Sequence, residues 1–382
     1  MSQARIKRGV TALAFGLALA FSCAEFVSPQ RAIASPTASS DEQEANAQAA
    51  EQTMEQKYKN IQVLKGLPAS QMRPMMNYIS GALGVNCAFC HVRTGDQMEF
   101  DKDDNNHKKI ARRMIQMTMD INKNSFQGRM QVTCYTCHRG DEHTVGVPPL
   151  PRVMPVEEPR SNEPRPTPQQ ILAKYTEAIG GKEAVEKIKT RAIKGVSVAA
   201  NGRSFPLEIL FAAPDKYSLS VSLPQGATTQ KMNGAAGWIK NSREDRAMDD
   251  VDILRAKSLA WSLELLQLKE PYPQMGFGGT EKINGRDVQI VRMALPNKRR
   301  ANFYFDKESG LLVRRLVSAE TPIGIDPEQT DYEDYREVDG VKVPHTIRTS
   351  YLDNAYSSTR KFTEIKHNAQ VDEAQFKLPG AK

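Results

Sequence analysis

Two stretches of the 382-residue chain carry the same constellation: VNCAFCHVR holds Cys87, Cys90 and His91, and VTCYTCHRG holds Cys134, Cys137 and His138. Two cysteines separated by two residues can reach adjacent edges of one porphyrin and bond to its two vinyl groups as thioethers. The histidine that follows then lies beneath the iron as an axial base. The spacing therefore points to covalent haem c, and the two copies, 47 residues apart, point to two haems. Competing readings fit less of the pattern. A zinc site could use both cysteine pairs but leaves both histidines unexplained. A redox dithiol needs one pair in a strand–helix setting, and two plain disulfides need no histidine at all.

The other cysteine supports the same reading. Of five in the chain, four sit in the motifs, and Cys23 lies in an N-terminal segment that looks like an export signal. Arg5, Lys7 and Arg8 precede an apolar run over 10–21, too short for a comfortable membrane span. A signal over 1–34 would end at Ala32-Ile33-Ala34. A lipoprotein signal over 1–22 would instead leave Cys23 as the lipid-bearing first residue. An uncleaved anchor is the third option. Export to the periplasm is expected in either cleaved case, with a lipid anchor in the second. The formal net charge is +7, part of it in the signal, and no nucleic-acid partner is expected.

A haem iron needs a sixth ligand, and the elements around the motifs supply thioethers. The stretch SQMRPMMNYISGAL carries Met72, Met75 and Met76 at helical spacing, and HKKIARRMIQMTMDIN carries Met114, Met117 and Met119. On the second helix Ile110, Met114, Met117 and Ile121 share one apolar face. Most of these methionines must simply fill core. Four histidines remain outside the motifs, of which His107 and His143 read as solvated.

The rest of the chain divides by composition. Residues 35–59 are polar and acidic and read as a disordered tether. Residues 60–146 hold both motifs. Residues 147–168 contain eight prolines, an extended linker. Residues 169–382 open on a helix punctuated by Thr167, Pro168 and Gly180-Gly181, with Ile171, Leu172, Tyr175 and Ile179 on one face. Alternating stretches such as FPLEILF and YSLSVSL then predict half-buried strands. Asn201-Gly202, Asn284-Gly285 and Asp339-Gly340 predict two-residue hairpins, FYFDKESGLLVRRL a hairpin with a longer loop, and 252–268 a helix. The predicted fold is multidomain: a small α-helical di-haem domain, then an α+β domain whose curved antiparallel sheet forms an open half-barrel.

Residues 60–141 resemble the tetrahaem cytochrome subunit of photosynthetic reaction centres, or rather its two-haem half. The resemblance rests on LKGLPASQMRPMMNYISGALGVNCAFCH and ARRMIQMTMDINKNSFQGRMQVTCYTCHRG. It implies that each haem follows a helix whose methionine is the sixth ligand. Met76 would serve the haem on Cys87, Cys90 and His91, and Met114 the haem on Cys134, Cys137 and His138. Met75 and Met117 are the alternatives. The implied role is one-electron transfer between a redox donor and acceptor, such as a membrane reaction centre or a respiratory complex, without catalysis. A di-haem peroxidase is the enzymatic alternative, since it needs one iron with an open sixth position. The second domain resembles outer-membrane lipoprotein carrier and sensor proteins, on its architecture and on YTEAIGGKEAVEKIKTRAIKG. That implies an apolar cavity that Trp238, Trp261, Phe303 and Phe305 would line, if they do not fill a plain core, and a lipid- or lipoprotein-binding role as a further alternative.

Overall fold

The computed structural model describes residues 52–379, apart from 96, 149, 152–163, 243–244, 250–251, 254, 258–274, 296–298 and 355–356. The export signal with Cys23, most of the proline-rich linker, most of the helix expected over 252–268, and Trp261 lie outside the described residues. Residues 52–382 form one compact unit.

Its N-terminal part is helical. Helix α1 (Met54–Lys57) is a single turn, α2 spans Met72–Leu83, α3 spans Asn106–Ser125 and α4 spans Cys134–His138. A small β1–β2 hairpin (Val92–Thr94, Gln97–Glu99) lies between α2 and α3. Folding begins earlier than the expected tether over 35–59 allows. Met54 is fully buried, and Met54 N–H donates to Leu67 O while Ala69 N–H donates to Gln52 O. One large apolar side chain is enough to dock the end of that polar segment onto the core.

The remainder is a curved, open sheet of 13 antiparallel strands. Two meanders compose it. Strands β3 (Thr190–Ala199) to β8 (Asp245–Ala247) form one, and β9 (Met275–Ile283) to β15 (Ser358–His367) form the other. They join where β3 pairs with β15. Helix α5 (Pro168–Ala178) is capped by Thr167, which accepts from Gln170 N–H. Its Ile171, Tyr175 and Ile179 enter the main core with Leu207, Ile209, Phe211, Tyr217 and Leu219 of β4 (Ser204–Ala212) and β5 (Lys216–Leu223). Alternation thus works as expected: every second side chain of those strands faces the core.

Asn284-Gly285 and Asp339-Gly340 form two-residue turns with positive φ at both positions (50° and 78°; 50° and 77°). The Asn201-Gly202 turn differs. Gly202 N–H donates to Ala199 O, Ala199 N–H donates to Arg203 O, and only Gly202 has positive φ, at 80°. This is a three-residue loop with a glycine bulge, the next most common way to close a hairpin. Phe305 is 1% exposed and meets Tyr175 edge-on at 5.4 Å, so it is core. Phe303 packs partly buried against that core, and Trp238 is half-buried with its Nε1–H donating to Asp245.

The helical part has its own core, completed from the sheet. Met54, Leu64, Met75, Tyr78, Ala82 and Ile115 pack around Ile323. Ile323 sits in the turn between β12 (Leu312–Thr321) and β13 (Gly324–Val338) and is 0% exposed. Leu352 joins the same cluster and meets α2 at Gly81. The Tyr78 ring lies so close over Gly324 that a Cβ there would stand 2.0 Å from ring carbons.

Candidate functional site

Each motif folds as a tight helical turn, the conformation that turns residues i, i+3 and i+4 to one side. At the first, the Asn86 side chain accepts from Ala88 N–H, and His91 N–H donates to Cys87 O at 3.0 Å. At the second, the Thr133 hydroxyl accepts from Thr136 N–H, and the turn ends on Arg139 at φ 54° and Gly140 at φ 89°. Cys87 and Cys137 are exposed, Cys90 and Cys134 half-buried, and no disulfide joins any of the four. Burial pushes the Cys134 thiol up to about 11 and raises that of Cys90. This is opposite to the lowered pKa that a redox dithiol uses. Among the described residues, no group of three or more His, Cys, Asp or Glu side chains is placed to hold a metal ion.

The histidines suit an axial role. His138 Nδ1 lies 3.0 Å from Asp141 O, which fixes Nδ1 as the protonated nitrogen and leaves the Nε2 lone pair for iron. His91 is half-buried, and burial lowers its pKa, with the nearby Lys108 charge acting in the same direction. A neutral ring is the form that ligates iron. Its Nδ1 is buried without a hydrogen-bond partner, and its ring meets Phe100 edge-on at 5.1 Å.

The structure cross-links the two motifs. The first motif sits at the start of α3: Phe89 stacks on His107 at 4.2 Å, and Asn105 Nδ2 donates to Phe89 O at 2.9 Å. The second sits against α2. Gly140 N–H donates to Ala82 O at 2.9 Å, Tyr135 N–H donates to the Tyr78 hydroxyl at 3.3 Å, and Cys134 N–H donates to Ile323 O at 3.4 Å. A Cβ on Gly84 would lie 2.2 Å from Gly140 O, so only glycine lets the two segments approach.

The methionines divide by exposure. Met75 is fully buried in the helical core, and Met76 lies half-buried beside it. Met114 and Met117 are 38% and 44% exposed. The face of α3 that enters the core carries Lys108, Ile115, Thr118 and Asn122, and the methionine face lies to its side. Sequence periodicity correctly joins Met114 to Met117, but polar residues win the inward face because each finds partners there. An exposed thioether face of this kind would suit a porphyrin plane, whose large apolar surface needs such a contact. His107 is exposed and stacked, and His143 keeps 84% of its side chain in solvent.

Two positioning residues escape sequence reasoning. Asn122 is 5% exposed, its Nδ2 donates to Val132 O, and its Oδ1 accepts from Gln131 N–H and Val132 N–H. It fixes the strand of chain that leads into the second motif. Lys108 is 8% exposed and donates to Phe100 O and Lys102 O, while Asp103 bridges Lys108 and Arg112. Those two cations hold the Asp103 carboxyl well below the usual carboxylate range. The clamp shapes the loop that brings Phe100 onto His91. An Asn or Lys in an amphipathic helix gives no local sign of such a task.

Comparison with known proteins agrees with this geometry. Residues 15–160 match the family model described as photosynthetic reaction centre cytochrome C subunit. The photosynthetic reaction center cytochrome c subunit of Roseobacter denitrificans is 36% identical over 91 residues, 22% of this chain and 24% of that protein. Cytochrome c-554 of Chloroflexus aurantiacus is 37% identical over 86 residues, 21% and 20% of the respective chains. The chain thus spans about a quarter of the length of the curated relatives it matches. A match to cytochrome c subunits implies covalently bound haem c. Among solved structures, a LolA superfamily protein from Nitrosomonas europaea aligns with 12% identity and a TM-score of 0.39, covering 56% of this chain and 98% of that one. Among the described residues, no helix is long and apolar enough to cross a membrane, which says nothing about strands.

Proposed function

We propose, from a chain whose N-terminal part matches reaction-centre cytochrome c subunits, that residues 60–146 carry two haems c and pass single electrons between exported redox partners. Bound haem supplies an iron that cycles between ferrous and ferric states. Cys87 and Cys90, and Cys134 and Cys137, anchor the two porphyrins, and His91 and His138 supply the proximal nitrogens. Met76 and Met114 supply the distal thioethers. The fully buried Met75 is committed to the core, which favours Met76 on α2. Met117 on the same exposed face is the alternative to Met114. Thioether ligation favours ferrous iron and so raises the potential relative to a second imidazole. The carrier reading is favoured over a di-haem peroxidase because each motif has a methionine helix beside it.

The observation that carries this is the pair of complete motifs with His138 Nδ1 tied back to Asp141 O. We further infer a periplasmic location, at a membrane surface if Cys23 is lipidated, and a donor and acceptor of which one is a membrane reaction centre or respiratory complex. The proline-rich stretch 147–168 is the linker to the sheet-bearing part. Pyridine haemochrome analysis against protein mass tests the first claim: two acid-stable haems per chain are expected, and a ratio near one overturns it. A near-infrared sulfur-to-iron band in the ferric protein is expected for Met/His ligation. Met114→Ala should open one haem to carbon monoxide and Met76→Ala the other. Carbon monoxide binding to one haem of the unaltered protein would favour the enzyme instead.

A further inference from the structure

We propose that the guanidinium groups of Arg255, Arg299 and Arg315, gathered on the inward face of the sheet, form a binding site for an oxyanion, a phosphate or a carboxylate. The register places them. Across β11 (Arg299–Asp306), β12 and β13, Ala301 lies opposite Val317 and Val317 opposite Glu328, while Arg315 lies opposite Thr330. Ala301 and Val317 belong to the main core, so Arg299, Arg315, Asp326, Glu328 and Thr330, at alternate positions on the same strands, point to that side too. Arg315 is 3% exposed, Arg299 7% and Glu328 5%.

Glu328 accepts from Arg255 Nε at 2.6 Å and from Arg315 Nη2 at 3.0 Å; Arg315 Nη2 also donates to Thr330 at 3.2 Å. That leaves Arg299 Nε, Arg315 Nε and Arg315 Nη1 buried with no acceptor. Buried donors without partners are rare because each has lost its water. Here three occur together on cations. The charges do not balance either. Three guanidinium groups face Glu328 and Asp326, and burial pushes the Asp326 carboxyl up to about 7, with Asn77 of α2 bonded to it. Asp252, the next acid beside Arg255, is committed to Arg246 at 2.7 Å. An excess of buried positive charge and planar forks of N–H donors select an oxyanion in preference to a spherical halide. Arg255 keeps 26% of its side chain exposed.

The test is calorimetric titration of the full-length holoprotein with inorganic phosphate and, separately, with decanoate, ionic strength being held with chloride. Saturable one-to-one binding of at least one is expected. Competition between the two assigns the site to oxyanions in general, and binding of decanoate alone assigns it to a carboxylate on an apolar chain. Arg315→Gln should weaken binding at least tenfold. Glu328→Gln removes the carboxylate that competes for the same donors and should tighten it at least threefold, an effect a purely structural ion pair would not give. If Arg315→Gln fails to fold, Glu328→Gln decides alone. No saturable binding of either probe, or affinities unchanged in Glu328→Gln, overturns the proposal.

Discussion

Replacing Ile323 by alanine isolates the contact through which the sheet completes the haem-bearing core. The side chain is 0% exposed and is surrounded by Met54, Leu64, Met75, Tyr78, Ala82 and Ile115. Three carbons leave the core, at about 0.8 kcal/mol each, or roughly 2.5 kcal/mol of lost transfer free energy. The cavity adds about 1 to 2 kcal/mol at roughly 24 cal/mol per Å³ if the site collapses only in part. The expected loss is therefore about 3.5 to 4.5 kcal/mol. Urea unfolding of the holoprotein should be followed both at the Soret band, which reports the haem segment, and by the fluorescence of Trp238 in a Trp261→Phe background, which reports the sheet. Both transitions should move to lower urea together. A loss below about 1 kcal/mol, or a fluorescence transition that moves while the Soret transition stays, would refute the shared core.

Other substitutions probe separate links. Asn122→Ala removes three hydrogen bonds and strands Val132 and Gln131 backbone groups; about 2 to 3 kcal/mol should be lost in urea unfolding, and a loss under about 0.5 kcal/mol would show that the loop holds itself. Gly84→Ala meets Gly140 O and must adopt φ 68°; the melting temperature should fall by several degrees, and an unchanged value would disprove the close approach. Asp326 faces Arg255, Arg299 and Glu328, yet burial outweighs the cations and raises its carboxyl to about 7. A raised acid binds its proton more tightly folded than unfolded, so stability falls as pH rises from about 4 to 7, by up to about 4 kcal/mol. Asp326→Asn should abolish that slope, leaving the variant more stable than the unaltered protein at pH 8 and little different at pH 4; parallel slopes would contradict it.

The parts legible in the sequence are those set by neighbours in the chain. The helical turns at Cys87–Phe89 and Cys134–His138, the helices 72–83 and 106–125, the Thr167 cap and two of three predicted tight turns all follow from spacings within a few residues. Asn201-Gly202 is a turn as expected, and only the strand register around it adds the extra residue. What escapes is decided at long range. Polar residues on strands read as solvent-facing, yet Arg315 and Glu328 point inward because they neutralise one another across the β12–β13 ladder. The methionine face of α3 reads as core and is half open, because Asn122 and Lys108 find backbone carbonyls on the other side. Nothing local marks Ile323 as the residue that closes a core built far upstream.

The placement of Ile323 also sets an order of assembly. The chain emerges with both motifs long before the β12–β13 turn, so Cys134 and Tyr78 have no partner there until most of the sheet has been made. Contacts so distant in sequence form late. During that interval the Cys134 segment lacks its hairpin partner, so on the proposed reading attachment of a porphyrin there would precede the packing of Ile323.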